Sequence, residues 1–167
     1  APDIHDPATP ILDILCTAIG QGESSRLYQR LVKERQVALE AHMGLAATAR
    51  CGLATVGLQS APEHLEASLR EKVQLFEEAA LQGMKEEEIE RVKTSLEAEV
   101  VGGKETVEGY ARRLGFYTIQ FGDPEFEKKY LESVLAVERP QVTKVLNDLL
   151  NRRPIVSVVH PTAMKFA

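Results

Sequence analysis

The residues of this chain best suited to bind a catalytic metal are its four histidines, His5, His42, His64 and His160. A zinc-activated water needs two histidines one helical turn apart with a glutamate beside them, as in H-x-x-E-H, so that both imidazoles reach one ion. No two of these histidines lie that close in the sequence. The spacing therefore predicts no metal site in this chain, and we assign no residue as a metal ligand.

Serine, cysteine and glycine patterns give no nucleophile and no phosphate site. G-x-S-x-G does not occur, and Gly20-Gln21-Gly22 lacks the glycine spacing and the lysine of a phosphate-binding loop. Cys16 lies in an apolar helical stretch and Cys51 in a turn, so structural roles are predicted, with a disulfide or a reactive thiol as the alternatives. We assign no catalytic residue and no cofactor-binding residue.

The remaining polar clusters are typical of structural positions. Glutamates at 86–90 suit the exposed first turn of a helix, where the helix dipole favours negative charge. Arg26 and Tyr28 are predicted to pack and pair locally, and Lys93 and Glu108 to make polar contacts at the surface or between helices. His42 is expected on the solvent side of a strand, exposed or hydrogen-bonded.

Composition indicates one soluble domain over residues 1–167, with 44% hydrophobic and 27% charged residues. The formal net charge of -5 argues against nucleic acid as a partner, because that affinity rests on clustered Lys and Arg. No apolar run approaches the roughly 20 residues that span a bilayer. The chain begins at Ala1 without methionine, so we expect the carboxyl-terminal part of a longer protein, with a periplasmic or a cytoplasmic location in a bacterium left open.

Hydrophobic periodicity predicts two helices and then a hairpin. A helix is expected over residues 7–19, ended by Gly20 and Gly22, and Ser24 or Ser25 is expected to cap a second helix that runs to about Glu34. From Leu39 the period becomes two, and a turn near residue 51 separates this segment from a second alternating run over 53–60. The two runs predict an antiparallel hairpin.

The rest of the chain predicts further helices and one last strand. Five amphipathic stripes with glycine or proline boundaries are present. They run from Leu65 to Ala80 before Gly83, from Ile89 to Val100 before Gly102, from Val107 to Tyr117, from Phe126 to Val134 after Pro124, and from Val142 to Leu149 after Pro140. The apolar run Ile155 to Val159 is predicted to be a buried strand that joins the sheet of the hairpin. The expected fold class is α+β, with helices packed on one face of an antiparallel-dominated sheet.

Three passages in this order resemble the M16 family of zinc peptidases, the pitrilysin and processing-peptidase superfamily. Residues 19–31, I-G-Q-G-E-S-S-R-L-Y-Q-R-L, are similar to its G-x-G-x-S-S-R-L-Y-x-x-L passage, in particular in the second, zinc-free domain. Residues 85–115 are similar to its E-E-E and A-x-x-L-G helices, and residues 130–161 to its Y-L-x-x-I-x-A-V and V-V-V-x-P passage. The resemblance covers nearly the whole chain.

The resemblance implies a two-domain clam shell in which the first domain carries H-x-x-E-H and the second helps to hold the peptide. Zinc is then expected in the partner domain and not in this chain. The partner is an H-x-x-E-H-bearing M16 domain, in the same polypeptide or in a companion subunit, and the substrate is a peptide. The family's usual strand before the first helix is not evident in residues 1–6.

Two positions depart from the family pattern L-R-x-K-x-x-L-x-Y, whose arginine and tyrosine reach the substrate or the charge developing at the zinc. Aligned on Leu31 and Ala38, this chain has Val32 in place of the arginine and Leu39 in place of the tyrosine. Neither side chain donates a hydrogen bond, so no catalytic residue is carried over. Arg30 or Arg35 is the candidate replacement.

Two functional hypotheses follow. In the first, the chain is the non-catalytic, cleft-forming half of a zinc metalloendopeptidase. In the second, it is an assembly or peptide-binding module that has lost its chemistry, which Val32 and Leu39 favour. A degenerate zinc motif in the partner, or peptide binding without cleavage, would select the second hypothesis.

Overall fold

The computed structural model describes residues 1–48 and 50–160. Its α-helices fall where the apolar stripes predict them: α1 Thr9–Gly20, α2 Leu65–Gln82, α3 Glu86–Gly102, α4 Val107–Phe121, α5 Phe126–Leu135 and α6 Arg139–Leu150. A π-helix, Tyr28–Glu34, follows α1, and a short 3-10 turn, Pro62–His64, precedes α2. Among these residues, no helix combines the length and the apolar character that crossing a bilayer demands.

Strands β1, Glu40–Ala47, and β2, Gly52–Gln59, form the predicted antiparallel hairpin. The register pairs Glu40 with Gln59 at one end and Ala47 with Gly52 at the other. Because side chains alternate between the faces of a strand, Ala41 and Met43 point into the core while their neighbours face outward. The α+β class and the antiparallel pairing are confirmed.

Helix α1 lies directly against β1, and Gly20 sets how closely the two approach. A Cβ at Gly20 would overlap the backbone and the Cβ of Met43, so only glycine fits at this contact. The core continues from α1 through the π-helix to α3 and α6, with residues such as Leu31, Ile89 and Leu146 fully buried. The helices therefore cover one face of the hairpin.

The predicted last strand is wrong for the described part of the chain. Residues 153–160 have no regular secondary structure, and Ile155 and Val159 are each 98% exposed. The N-terminal segment, not this one, meets the hairpin tip, where the Ile4 amide donates to the Thr48 carbonyl and the Gly52 amide to the Ala1 carbonyl. A β-branched run marks the propensity for a strand, but a strand also needs a partner backbone.

Helix α4 also departs from its pattern. The sequence predicts a buried stripe through Val107, Tyr110 and Leu114, yet Gly109 alone is buried on this helix, and Val107 is 90% exposed. Helix α4 rests against α5 through an aromatic stack in which the rings of Phe121 and Phe126 lie 3.8 Å apart. Amphipathic periodicity identified the helix but not the surface it covers.

Candidate functional site

Residues 20–25 connect α1 to the π-helix and carry the glycines and serines singled out in the sequence. Gly22 adopts a φ of 76°, a left-handed conformation that favours glycine. Ser25 is fully buried, and its Oγ accepts a hydrogen bond from the Tyr28 amide at 3.4 Å. The predicted serine cap is therefore Ser25, and the segment acts as a rigid corner between two helices.

Arg26 holds this corner against the start of α3. Its Nε donates to Glu88 at 2.7 Å, and its Nη2 donates to Glu88 at 2.6 Å and to the Gly83 carbonyl at 3.1 Å. Burial alone would raise the pKa of Glu88, but hydrogen bonds from Arg26 and from the Lys85 amide outweigh it and lower that pKa. Arg26 thus acts as a structural clamp, and its partner lies 62 residues away in the sequence and not in the local neighbourhood that the sequence suggested.

A second ion-pair network fixes the π-helix to α2. Arg30 donates to Glu71 at 2.9 Å and to Glu78 at 2.5 Å, and its guanidinium is largely covered. Arg35 lies 3.4 Å from Glu71, with 57% of its side chain exposed. Of the two arginines proposed to replace the family's substrate-binding arginine, Arg30 is committed to these glutamates, and Arg35 is the more accessible.

The π-helix leads into an irregular bend before β1. Gln36 has a φ of 52°, uncommon for a residue with a side chain, and the amides of Val37 and Ala38 both donate to the Leu31 carbonyl. π-Helical segments of this kind are rare and often occur at functional sites. The Lys33 ammonium lies 5.4 Å from the centre of the Tyr28 ring, on the same helix.

The two departures from the family pattern lie on opposite sides of this bend. Val32 packs against the hydrophobic core, so this position presents an apolar contact to the protein interior. Leu39 stands 65% exposed immediately before β1, and its amide donates to the Gln59 carbonyl at 2.7 Å. The chain therefore offers an aliphatic surface at Leu39 and no hydrogen-bond donor from either side chain.

The face of the hairpin that points away from the helices, here called the outer face, is largely exposed. It consists of alternate residues of the two strands: Glu40, His42, Gly44, Ala46, Leu53, Thr55, Gly57 and Gln59. The imidazole of His42 lies over Gly57, its cross-strand partner, where a Cβ would overlap the ring. Beside Gly44 there is open space. His42 is exposed, as expected from the alternation.

The described residues, 1–48 and 50–160, contain no group of three or more His, Cys, Asp or Glu side chains that could hold a metal ion. His5 packs against the aromatic rings of Phe121 and Phe126, and His42 lies on the outer face. The donor set of a catalytic zinc, three protein ligands around one open position, is not assembled by these residues.

Both cysteines are free. Cys16 is buried in α1, where burial and the nearby Asp13 raise the pKa of its thiol to about 12, so the thiolate nucleophile is suppressed. Cys51 is exposed in the hairpin turn beside the Thr48 hydroxyl. Asp13 itself accepts a hydrogen bond from the Tyr130 hydroxyl at 3.0 Å, which joins α1 to α5.

A polar cluster that the sequence did not reveal anchors α4. Glu127 on α5 is buried and pairs with Arg113 and with Lys104, the latter at 2.9 Å. Arg113 also donates to the Glu99 carbonyl at 3.2 Å, and its guanidinium lies against Gly103. Burial would raise the pKa of Glu127, but the two cations lower it. No local motif marks such a cluster, since its members come from three separate elements.

Residues 1–96 match the family model of the peptidase M16 inactive domain. The chain belongs to this family. The matched region runs from the N-terminal segment through the glycine–serine corner, the hairpin and most of α3. The M16 resemblance seen in the sequence and the assignment to the zinc-free domain are both confirmed.

Curated relatives of this M16 domain are longer proteins. The chain is 29% identical over 156 residues to an uncharacterized zinc protease of Streptomyces coelicolor, covering 93% of this chain and 34% of the relative. It is 30% identical over 154 residues to an uncharacterized zinc protease of Mycobacterium tuberculosis, covering 92% and 35% respectively. The chain spans about a third of the length of these relatives.

Solved structures support the fold. A protease from Helicobacter pylori matches with a TM-score of 0.77 at 21% identity, covering 89% of this chain and 36% of that one. The peptidase M16 inactive domain from Pseudomonas fluorescens matches with a TM-score of 0.74 at 18% identity, covering 88% and 35%. Identities this low establish the shared fold only.

Proposed function

We propose that this M16 domain is the non-catalytic, cleft-forming half of a zinc metalloendopeptidase. Peptide-bond hydrolysis is assigned to a partner M16 domain, whose H-x-x-E-H residues would hold a zinc that would supply an activated water. The residues of this chain contribute by binding and orienting the peptide and by excluding water from the closed cleft. Family membership and the zinc protease names of its relatives support the proposal.

The observation that carries the proposal furthest is the outer face of the hairpin. It points away from the helices, most of its side chains are exposed, and Gly44 leaves open space on it. An extended peptide fits such a surface, because the small Gly44 lets a second backbone approach closely while the exposed Leu53 offers apolar contact. The helices on the opposite face hold the strands rigid.

The assignment of zinc to a partner domain rests on membership of the inactive-domain family. Zinc hydrolysis requires a set of ligands that residues 1–48 and 50–160 do not supply. The zinc is therefore proposed for the partner domain, in the same polypeptide or in a companion subunit. The polar clusters around Arg26, Arg30 and Glu127 are ion pairs that join elements of the fold.

A second candidate function is a peptide-binding or assembly module without catalysis. Val32 and Leu39 favour it, because the family's arginine and tyrosine, which stabilise charge near the zinc, have no counterpart at these positions. The packing of Val32 against the core strengthens this point, since this side chain brings no charge to the site.

The first test is the zinc content and peptidase activity of this chain alone and of the longer protein that carries it. We expect the chain to retain less than about a tenth of an equivalent of zinc after dialysis, and the longer protein to retain about one. One tight zinc in the isolated chain would overturn the proposal. Zinc-free peptide binding by the longer protein would select the second function.

The second test places the peptide on the outer face. Gly44→Phe adds a bulky side chain there, in open space, and should raise KM for peptide hydrolysis by about tenfold with kcat little changed. Gly115→Phe on α4, also in open space, is the matched control and should leave KM unchanged. Equal KM values for both variants would contradict a peptide site on this face.

A further inference from the structure

The outer face of the hairpin is charged at one end and apolar at the other. Glu40 and Gln59 form the cross-strand pair at the first end, and both side chains are exposed. Ala46 and Leu53 form a pair near the hairpin turn, where Leu53 is 61% exposed. A strand rises about 3.4 Å per residue, so these two pairs lie roughly 20 Å apart. The two ends therefore offer different chemistry to a bound peptide.

The charge at the first end comes from Glu40. It is the only formally charged side chain among the residues of the outer face, with histidine counted as neutral. None of the ion pairs within the described part of the chain includes it. The nearest cations along the chain are engaged elsewhere, since Lys33 lies over an aromatic ring of its own helix and Arg35 lies 3.4 Å from Glu71. The Glu40 carboxylate is therefore available to a cation from outside the chain.

The hairpin turn carries the opposite charge. Arg50 is exposed in this turn, beyond the apolar end of the outer face. A cationic side chain of a peptide would be attracted near Glu40 and repelled near Arg50. The Debye length at physiological ionic strength is about 8 Å, so charges roughly 20 Å apart act almost independently. The end that accepts a cation is thus the Glu40 end.

An extended peptide has the geometry to reach both ends at once. Extended chains in stacked layers keep their directions within about 30° of each other. Alternate side chains of such a peptide point toward the sheet, so positions six residues apart face the same way and are separated by about 20 Å. This separation equals the distance between the two ends of the outer face, and the open space beside Gly44 lies between them.

We propose that the outer face selects extended peptides that carry a lysine or an arginine six residues away from a large apolar residue. Glu40 pairs with the cation, and Leu53 contacts the apolar side chain. This inference rests on the proposed function, because it names the class of peptide that the cleft-forming half binds. It assigns specificity to these two residues and no catalytic step to either.

The test is the binding of labelled nine-residue peptides to the longer protein that carries this domain. Fluorescence anisotropy measures the affinity, with a chelator present to prevent hydrolysis. The first peptide is a serine–threonine chain with arginine at its second position and leucine at its eighth. We expect it to bind about fivefold more tightly than the same peptide with serine in place of arginine, because an exposed ion pair is a weak but measurable interaction.

A third peptide tests the extended geometry. It carries arginine at its third position and leucine at its eighth, so the two side chains lie on opposite sides of an extended chain. It should bind no better than the serine peptide. The preference for the first peptide should also decline as the salt concentration rises, since exposed charges are screened.

Variants of the protein assign the preference to named residues. Glu40→Gln should abolish the fivefold preference for arginine, and Glu40→Lys should reverse it. Leu53→Ser should weaken binding of the first peptide by about threefold through lost apolar contact. Glu97→Gln is the matched control, because Glu97 is an exposed glutamate on α3, and this variant should keep the preference.

The outcomes separate this inference from the proposed function. Equal binding of all three peptides, or a preference for arginine that Glu40→Gln leaves unchanged, would overturn the inference and leave the proposed function in place. Absence of binding by every peptide would overturn the proposed function and this inference together.

Discussion

The corner and hairpin region, residues 9–59, and the open region, residues 107–121 and 155–159, differ in how far their apolar side chains are buried. In the first, a Cβ at Gly20 would overlap Met43, and Ser25 is fully buried. Arg26 and Arg30 tie the corner and the π-helix to α3 and α2. In the second, Val107 and Ile155 face solvent. Apolar periodicity therefore predicts which face of a helix or strand is apolar, but it does not predict which element packs against that face.

The largest expected effect tests the close contact in the corner and hairpin region. Gly20→Ala should lower the free energy of unfolding by about 3 kcal/mol, because the new methyl group overlaps the backbone of Met43 and the backbone cannot move aside cheaply. Urea unfolding followed by circular dichroism measures this change. Gly44→Ala, in open space, should cost little, and equal losses for both variants would mean that glycine-specific packing is not the cause.

The next effect tests the ion-pair clamp. Arg26→Ala should cost about 2 kcal/mol in unfolding free energy, since it leaves Glu88 partly buried without its partner. Arg35→Ala, at a pair whose arginine is 57% exposed, should change the same quantity by less than about 0.5 kcal/mol. If both variants lost the same unfolding free energy, the Arg26–Glu88 pair would be no more stabilising than the exposed Arg35–Glu71 pair.

The clamp also predicts a pH dependence. The pKa of Glu88 is lowered in the folded state from its ordinary value of 4.5, so its stabilisation is complete above that value and is lost as the pH falls through the folded-state pKa. The stability difference between the parent chain and Arg26→Ala should therefore shrink below about pH 4. A difference that stays constant into acid would show that the clamp is not electrostatic.

A smaller effect, of opposite sign, tests the contact between α1 and α5. Burial raises the pKa of Asp13 above 3.8, with the Tyr130 hydrogen bond opposing and the Glu99 charge adding to the shift. Ionised Asp13 therefore costs stability at neutral pH. Asp13→Asn keeps an oxygen for Tyr130 and should raise the unfolding free energy by about 1 kcal/mol at pH 7.

The direction of the Asp13 pKa shift determines the pH range over which Asp13→Asn should change the unfolding free energy. A raised folded-state pKa means that stability is lost as the pH rises through the interval above 3.8, so the gain from Asp13→Asn should vanish near that pH. Thermal unfolding at pH 4 and pH 7 measures both limits. The exposed Asp148→Asn is the control, and an equal gain there would indicate a general charge effect at this net charge of -5.

The smallest expected effect tests the open region. Val107→Ser and Ile119→Ser should each change the unfolding free energy of this chain by less than about 0.5 kcal/mol, because both side chains are almost fully exposed. The buried Val142→Ser on α6 is the comparison and should cost several times more. A large loss at Val107 would show that α4 is covered in the isolated chain.

Local sequence signals predicted much of this structure. The ends of several elements follow from nearby residues, because caps and turns are local. Examples are the glycines and serines at residues 20–25, the change of period at Leu39 and the glycine after α2. The π-helical geometry of residues 28–34 and the cluster around Glu127 could not be predicted, because both depend on partners far away in the sequence.

By itself, the sequence determined the α+β class, the antiparallel hairpin, the positions of the helices and membership of the M16 inactive-domain family. Tertiary structure alone decided that Arg26 and Arg30 are closed ion pairs, that Val32 faces the core and Leu39 the solvent, and that residues 155–159 lack a partner in the described chain. The reason is physical: a residue's neighbours along the chain set its backbone, whereas burial and pairing depend on which distant elements meet it.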